Sequence, residues 1–163
     1  MEKRYNILFL CTGNSSRSIM AEAILNRKGQ PLFRAYSAGS HPSGRVRPEA
    51  LEQIKLARMP VENFRSKSWD EFAAPGAPQM DFVFTVCDNA ANEVCPMWPG
   101  QPMTAHWGVA DPAAERGTPD QIDRAFRDAF VILDRRISLF LSLPLSTLGQ
   151  LAIKKEIDRI GLQ

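Results

Sequence analysis

No apolar run in this chain approaches the ~20 residues that a helix needs to cross a bilayer. The short run from Ile7 to Cys11 follows Glu2, Lys3 and Arg4, so neither a membrane anchor nor a cleavable secretory signal is expected. An excess of one charge is also missing. Twenty Lys and Arg against 18 Asp and Glu leave a net charge of +2, too balanced for nucleic-acid or membrane binding driven by bulk charge. Cysteine is scarce and odd in number. Three thiols cannot form a closed disulfide framework, which fits a reducing, cytoplasmic setting where thiols are free, catalytic or redox-cycling.

What is present is enough apolar material for one ordinary core, 44% of 163 residues, and an alternation of strands with helices. Tyr5 to Cys11 reads as a strand buried on both faces of a parallel sheet. Ser18 is placed to cap a helix running from Ile19 to Lys28 and stopped by Gly29. Further strands are expected at Phe33 to Ser37, Asp81 to Val86 and Met103 to His106. Helices are expected at Pro48 to Met59, Trp69 to Ala73 and Asp88 to Val94. Ile122, Phe126, Ala129, Leu133, Ile137 and Phe140 recur at helical spacing, predicting a long core helix from Pro119 that Pro144 ends. A last helix from Ser146, carrying Leu148, Leu151, Ile157 and Ile160, is expected on the outside of the fold or against a second subunit. The fold class is thus α/β, a single-domain doubly wound four-stranded parallel sheet flanked by helices. Residues 1–143 form its body and 144–163 a C-terminal helical extension of the same domain.

In doubly wound sheets ligands bind beyond the carboxyl ends of the strands, where Cys11 and Cys87 both fall. After Cys11 come Thr12, Gly13, Asn14, Ser15, Ser16, Arg17 and Ser18. Gly13 and Asn14 tolerate the positive φ of a tightly curled loop. Such a curl aims the backbone N–H groups of residues 12–17 at one point, and the following helix adds its positive dipole end. Arg17 grips two oxygens of a tetrahedral anion at once, as lysine cannot. The same field is expected to lower the pKa of Cys11, with the Ser18 hydroxyl donating to the thiolate.

The run Leu8 to Ser18, with Met20-Ala-Glu22, Tyr36-Ser-Ala-Gly39, Val86-Cys87, Cys95-Pro96 and His106-Trp-Gly-Val-Ala-Asp-Pro112, resembles the low-molecular-weight protein-tyrosine-phosphatase family. Within it, the sequence is most similar to the thioredoxin-coupled arsenate reductases. The resemblance implies arsenate as substrate, with phosphate and sulfate as competing anions, and no cofactor. It implies catalytic roles for Cys11, Arg17, Cys87, Cys95 and Asp111. Cys11 attacks arsenate, Cys87 attacks the Cys11 sulfur and releases arsenite, and Cys95 then attacks Cys87, while Asp111 acts as the general acid. Thioredoxin is the reductant this implies, with glutaredoxin or glutathione as the other candidate. The alternative within the family is a tyrosine phosphatase. However, the pair of tyrosines that follows Asp-Pro in many phosphatases is replaced by Ala113 and Ala114.

A helix from 88 to 94 would hold the Cys87 and Cys95 α-carbons ~12 Å apart. A disulfide needs ~7 Å, so that helix is expected to unwind in the last step. Ser16 stands where many relatives have an extra Cys, which the relay does not need. Asn14, Glu22 and Ser37 match a potassium site of some relatives, but Lys67 takes its acidic position, so no metal is expected. From another class, Cys11, Cys87, Cys95 and His106 could bind zinc or arsenite as a sensor or structural site, but their spacing matches no metal-ligand pattern.

Overall fold

The computed structural model describes residues 3–87 and 98–163. Cys95 and the expected helix before it lie outside the described residues. The strands are β1 (Tyr5–Leu10), β2 (Phe33–Ala38), β3 (Phe82–Thr85) and β4 (Met103–His106). They form one parallel sheet in the order β2-β1-β3-β4. Around it lie α1 (Arg17–Lys28), α2 (Pro48–Leu56), α3 (Asp70–Ala73), α4 (Pro119–Leu141) and α5 (Gln150–Ile160).

The apolar run of β1 serves both faces of the sheet. Ile7 and Phe9 join the large cluster under α1 and α4, whereas Leu8 and Leu10 join a smaller one with Phe72 of α3, Met80 and Val83. Alternation along a strand makes this possible, and burial on both sides is why the run is continuous. Trp107, fully buried, stacks on Phe84 with ring centroids 4.0 Å apart. A capping box starts α4: Thr118 accepts from the Gln121 amide at 3.2 Å and Gln121 Oε1 accepts from the Thr118 amide at 2.7 Å.

Several element ends differ from expectation for local reasons. α1 begins at Arg17 with Ser16 as its N-cap residue and no side-chain cap, because the loop winds directly into the helix and Ser18 is turned inside. α2 stops at Leu56 rather than Met59. Arg58 takes a left-handed φ of 61°, and Pro60 bars the residue before it from helical geometry. α5 starts at Gln150 rather than Ser146, after a turn in which the Leu148 amide donates to the Pro144 carbonyl. Its buried face is Ile153, Ile157 and Ile160. Leu151, 83% exposed, is not part of that face.

Candidate active site

The loop between β1 and α1 is braced from outside through its carbonyls. The Thr12 carbonyl accepts from the His41 amide at 2.9 Å. Gly13 accepts from the Ser43 amide and from Ser66 Oγ, both at 3.0 Å, and Ser15 accepts from the Arg47 amide at 2.8 Å. With the carbonyls turned away, the N–H groups of Asn14, Ser15, Ser16 and Arg17 have no acceptor among the described residues. Unpaired backbone donors at a helix N-terminus form an anion site, and no acidic residue occupies the first turn of α1 to compete.

Asn14 carries the positive φ, 46°, and Gly13 does not. Gly39 is the glycine that sterics require. A β-carbon there would overlap the Thr12 carbonyl oxygen and stand 2.7 Å from the Cys11 carbonyl oxygen. Gly39 appears in the sequence motifs without a role, because the close approach of its chain to the loop is a tertiary fact.

Arg17 is ordered from the far side. Nη1 donates to the Val109 carbonyl at 2.8 Å, Nη2 lies 3.7 Å from Asp111 Oδ1, and Nε is buried without a partner. An unpaired buried guanidinium N–H beside free amides is a further donor for an oxyanion. Asp111 is exposed, and its carboxylate accepts from the Ala113 amide at 3.0 Å, capping a short 3-10 turn at Pro112–Ala114. The loop therefore presents its acid to solvent above the arginine. That position suits proton delivery to a leaving oxygen.

Cys11 and Cys87 are both buried, and no disulfide joins either of them among the described residues. Parallel pairing of β1 with β3 brings their strand ends together. The Thr12 amide donates to Cys87 Sγ at 3.2 Å, and the two thiols share a hydrogen bond. The pKa of Cys11 is consequently raised above the ordinary thiol range, first by that bond to Cys87 and then by burial. The Arg17 charge and the Gly13 amide pull it down by less. The expected lowering of Cys11 by its loop is thus outweighed in the resting site, where the bond to Cys87 and burial both favour the thiol.

Ser18, fully buried, accepts from Asn14 Nδ2 at 2.8 Å, and Asn14 Oδ1 accepts from the Lys67 amide at 2.9 Å. No hydrogen bond from Ser18 to Cys11 is present among the described residues. Behind the loop, the Lys67 ammonium lies 3.3 Å from Ser37 Oγ and 3.9 Å from Glu22 Oε1, and Ser37 donates to Glu22 at 2.5 Å. An ammonium in that position repels a second cation, so these residues do not fit a potassium ion.

Sequence reasoning also passed over Arg136. It lies on the apolar stripe of α4, three residues after Leu133 and four before Phe140. A charge on a buried face is the signal that could have found it.

The family model for low molecular weight phosphotyrosine protein phosphatase matches residues 6–152. The arsenate reductase of Halalkalibacterium halodurans is 36% identical over 134 residues, covering 82% of this chain and 93% of its own. An arsenate reductase solved in its phosphate binding state superposes with a TM-score of 0.69 at 23% identity, over 85% of this chain and 97% of that one. The thioredoxin-dependent arsenate reductase of Corynebacterium glutamicum superposes at 0.56 with 22% identity, over 84% of this chain and 63% of that one.

Proposed function

The chain belongs to the low molecular weight phosphotyrosine protein phosphatase family, and from that membership we propose that it is an arsenate reductase, an oxidoreductase that converts arsenate to arsenite. The observation that carries the reading is the second thiol: Cys87 hydrogen-bonded to Cys11 at the mouth of an anion loop. Hydrolysis of a phosphoester returns its cysteine unchanged and gives Cys87 no task. Reduction of arsenate needs two electrons from thiols, which leave as a disulfide.

The loop amides and Arg17 hold three oxygens of arsenate, as they would hold phosphate or sulfate. Entry of the anion brings acceptor oxygens that compete with Cys87 for the Thr12 amide. The Cys11 proton passes to an arsenate oxygen that is retained, its thiolate forms a bond to arsenic, and the arsenate hydroxyl departs as water with a proton from Asp111. The Cys87 thiolate then bonds to the Cys11 sulfur. The arsenic–sulfur electron pair stays on arsenic, which departs as arsenite. Cys95 bonds to Cys87 and releases Cys11 as a thiol, leaving a Cys87–Cys95 disulfide. Thioredoxin is the reductant best suited to that product, since a vicinal dithiol exchanges with it in two thiol steps. A structural neighbour is named as thioredoxin-dependent.

Cys95→Ser tests the reading directly. One equivalent of arsenite is expected, followed by arrest as a Cys11–Cys87 disulfide with no turnover on thioredoxin. Wild-type protein after one turnover yields Cys87–Cys95 by peptide mapping. Cys95 found as a free thiol in fully oxidised wild type would remove it from the reaction.

A further inference from the structure

The family match ends at residue 152, so most of α5 lies beyond it. Yet this extension meets one short stretch of chain again and again. Lys154 Nζ donates to the Thr104 carbonyl at 2.5 Å, and the Ile157 carbonyl accepts from Trp107 Nε1 at 2.9 Å. Gly161 passes so close that a β-carbon would overlap the His106 carbonyl oxygen and stand 3.0 Å from Trp107 Cδ1. Arg136 of α4 joins the two parts: Nη1 donates to the Gly108 carbonyl at 2.9 Å and Nη2 to the main-chain oxygen of Gln163 at 3.1 Å. The next residue, Val109, supplies the carbonyl that holds Arg17, and Asp111 follows two residues later.

Core packing does not account for Arg136. It is 7% exposed, its Nε is buried without a partner, and it meets no Asp or Glu side chain among the described residues. A buried guanidinium held only by main-chain oxygens, with one N–H left over, costs more than the apolar residue that would fill the same space. Its one product is geometry. It fixes the backbone at Gly108 relative to the chain's last turn, just where the sheet ends and the acid loop begins.

We propose that Arg136 and α5 together form a positioning device for the proton donor. By holding Trp107 and Gly108 they set the backbone from Val109 to Asp111, so that the carboxyl stands over the bound oxyanion. The inference rests on the arsenate reductase reading and names residues of the same reaction that act through Asp111. A general acid works only within hydrogen-bond reach of its oxygen, and a displacement near 1 Å is enough to lose much of its effect.

The test is a double-mutant cycle on the full chain. Arg136→Met removes both ties, while Trp107→Phe removes the bond to Ile157 and keeps the ring on Phe84. Each is made alone and with Asp111→Asn, and rates are followed as arsenite released in single turnovers. With Asp111 present, each variant is expected to lower the single-turnover rate about tenfold, and phosphate affinity by calorimetry, reached only through the Val109 tie to Arg17, by less than about twofold. In the Asp111→Asn background the further loss is expected to fall below about twofold, because the group being positioned is gone. Arg136→Lys, whose single nitrogen can keep one of the two ties, should recover part of the rate.

An equal loss with and without Asp111, a fall in phosphate affinity matching the fall in rate, or a wild-type single-turnover rate would each overturn the proposal. If Arg136→Met does not fold, Arg136→Lys and Trp107→Phe decide by the same criteria. Wild-type protein that binds phosphate but reduces no arsenate would instead overturn the functional reading.

Discussion

A thiol buried against another sulfur lacks the solvation its anion needs, and at Cys11 this outweighs the charge of Arg17. The hydrogen bond to Cys87 is the largest influence, so its removal has a defined sign. In Cys87→Ala the Cys11 thiol should ionise at lower pH than in wild type. Alkylation of Cys11 by iodoacetamide as a function of pH would read this as a midpoint displaced towards acid. A midpoint unchanged or displaced towards alkali would mean that burial alone sets the resting state. The same variant should bind phosphate, because the donors of the loop are untouched, but should release no arsenite.

The anion loop is one element shaped by another, the segment from Gly39 to Arg47 that supplies amides to its carbonyls. The two glycines nearby should therefore behave in opposite ways. Gly39→Ala places a methyl group against backbone oxygens that cannot yield cheaply, and is expected to destabilise the protein by about 2 kcal/mol, as overpacking does. Phosphate affinity should fall with it. Gly13→Ala meets nothing nearer than Ser15 Oγ at 3.6 Å and needs no positive φ, so its cost should stay near 0.5 kcal/mol or below. Urea denaturation with and without phosphate separates the two. A Gly13 variant as damaged as the Gly39 one would show that the loop tolerates no side chain on its inner wall.

At the scale of the whole molecule, Lys67 and Glu22 tie the loop, α1 and β2 together through one buried network with Ser37 and Asn14. Burial raises the pKa of Glu22, and the main influence holding it down is the Lys67 charge. Burial also lowers the pKa of Lys67. Lys67→Met therefore leaves a buried carboxylate unopposed, and breaking such a pair costs about 3 kcal/mol. A carboxyl whose folded pKa is raised stabilises the fold below its unfolded pKa, and loses that contribution as pH rises through the folded value. The deficit of Lys67→Met relative to wild type should thus be full at neutral pH and shrink on acidification. Denaturation of both proteins across that range checks the sign, and a deficit that grows in acid would exclude Glu22 as its cause.

The parallel sheet, the strand–loop–helix unit at Cys11 and the long core helix were legible in the sequence. Each is written in local terms, as an unbroken apolar run, turn residues or a helical period. The candidate residues Cys11, Arg17, Cys87 and Asp111 were legible too, since each belongs to a contiguous motif. Local terms could not say which neighbour each group would meet. Gly39 against the loop, Arg136 on the Gly108 carbonyl and Ile157 over Trp107 join residues far apart in the chain, and no spacing rule records such meetings. The sign of the Cys11 pKa shift was decided in the same way. The sequence supplies the loop that lowers it, but only the pairing of β1 with β3 brings up Cys87 and the burial that together raise it.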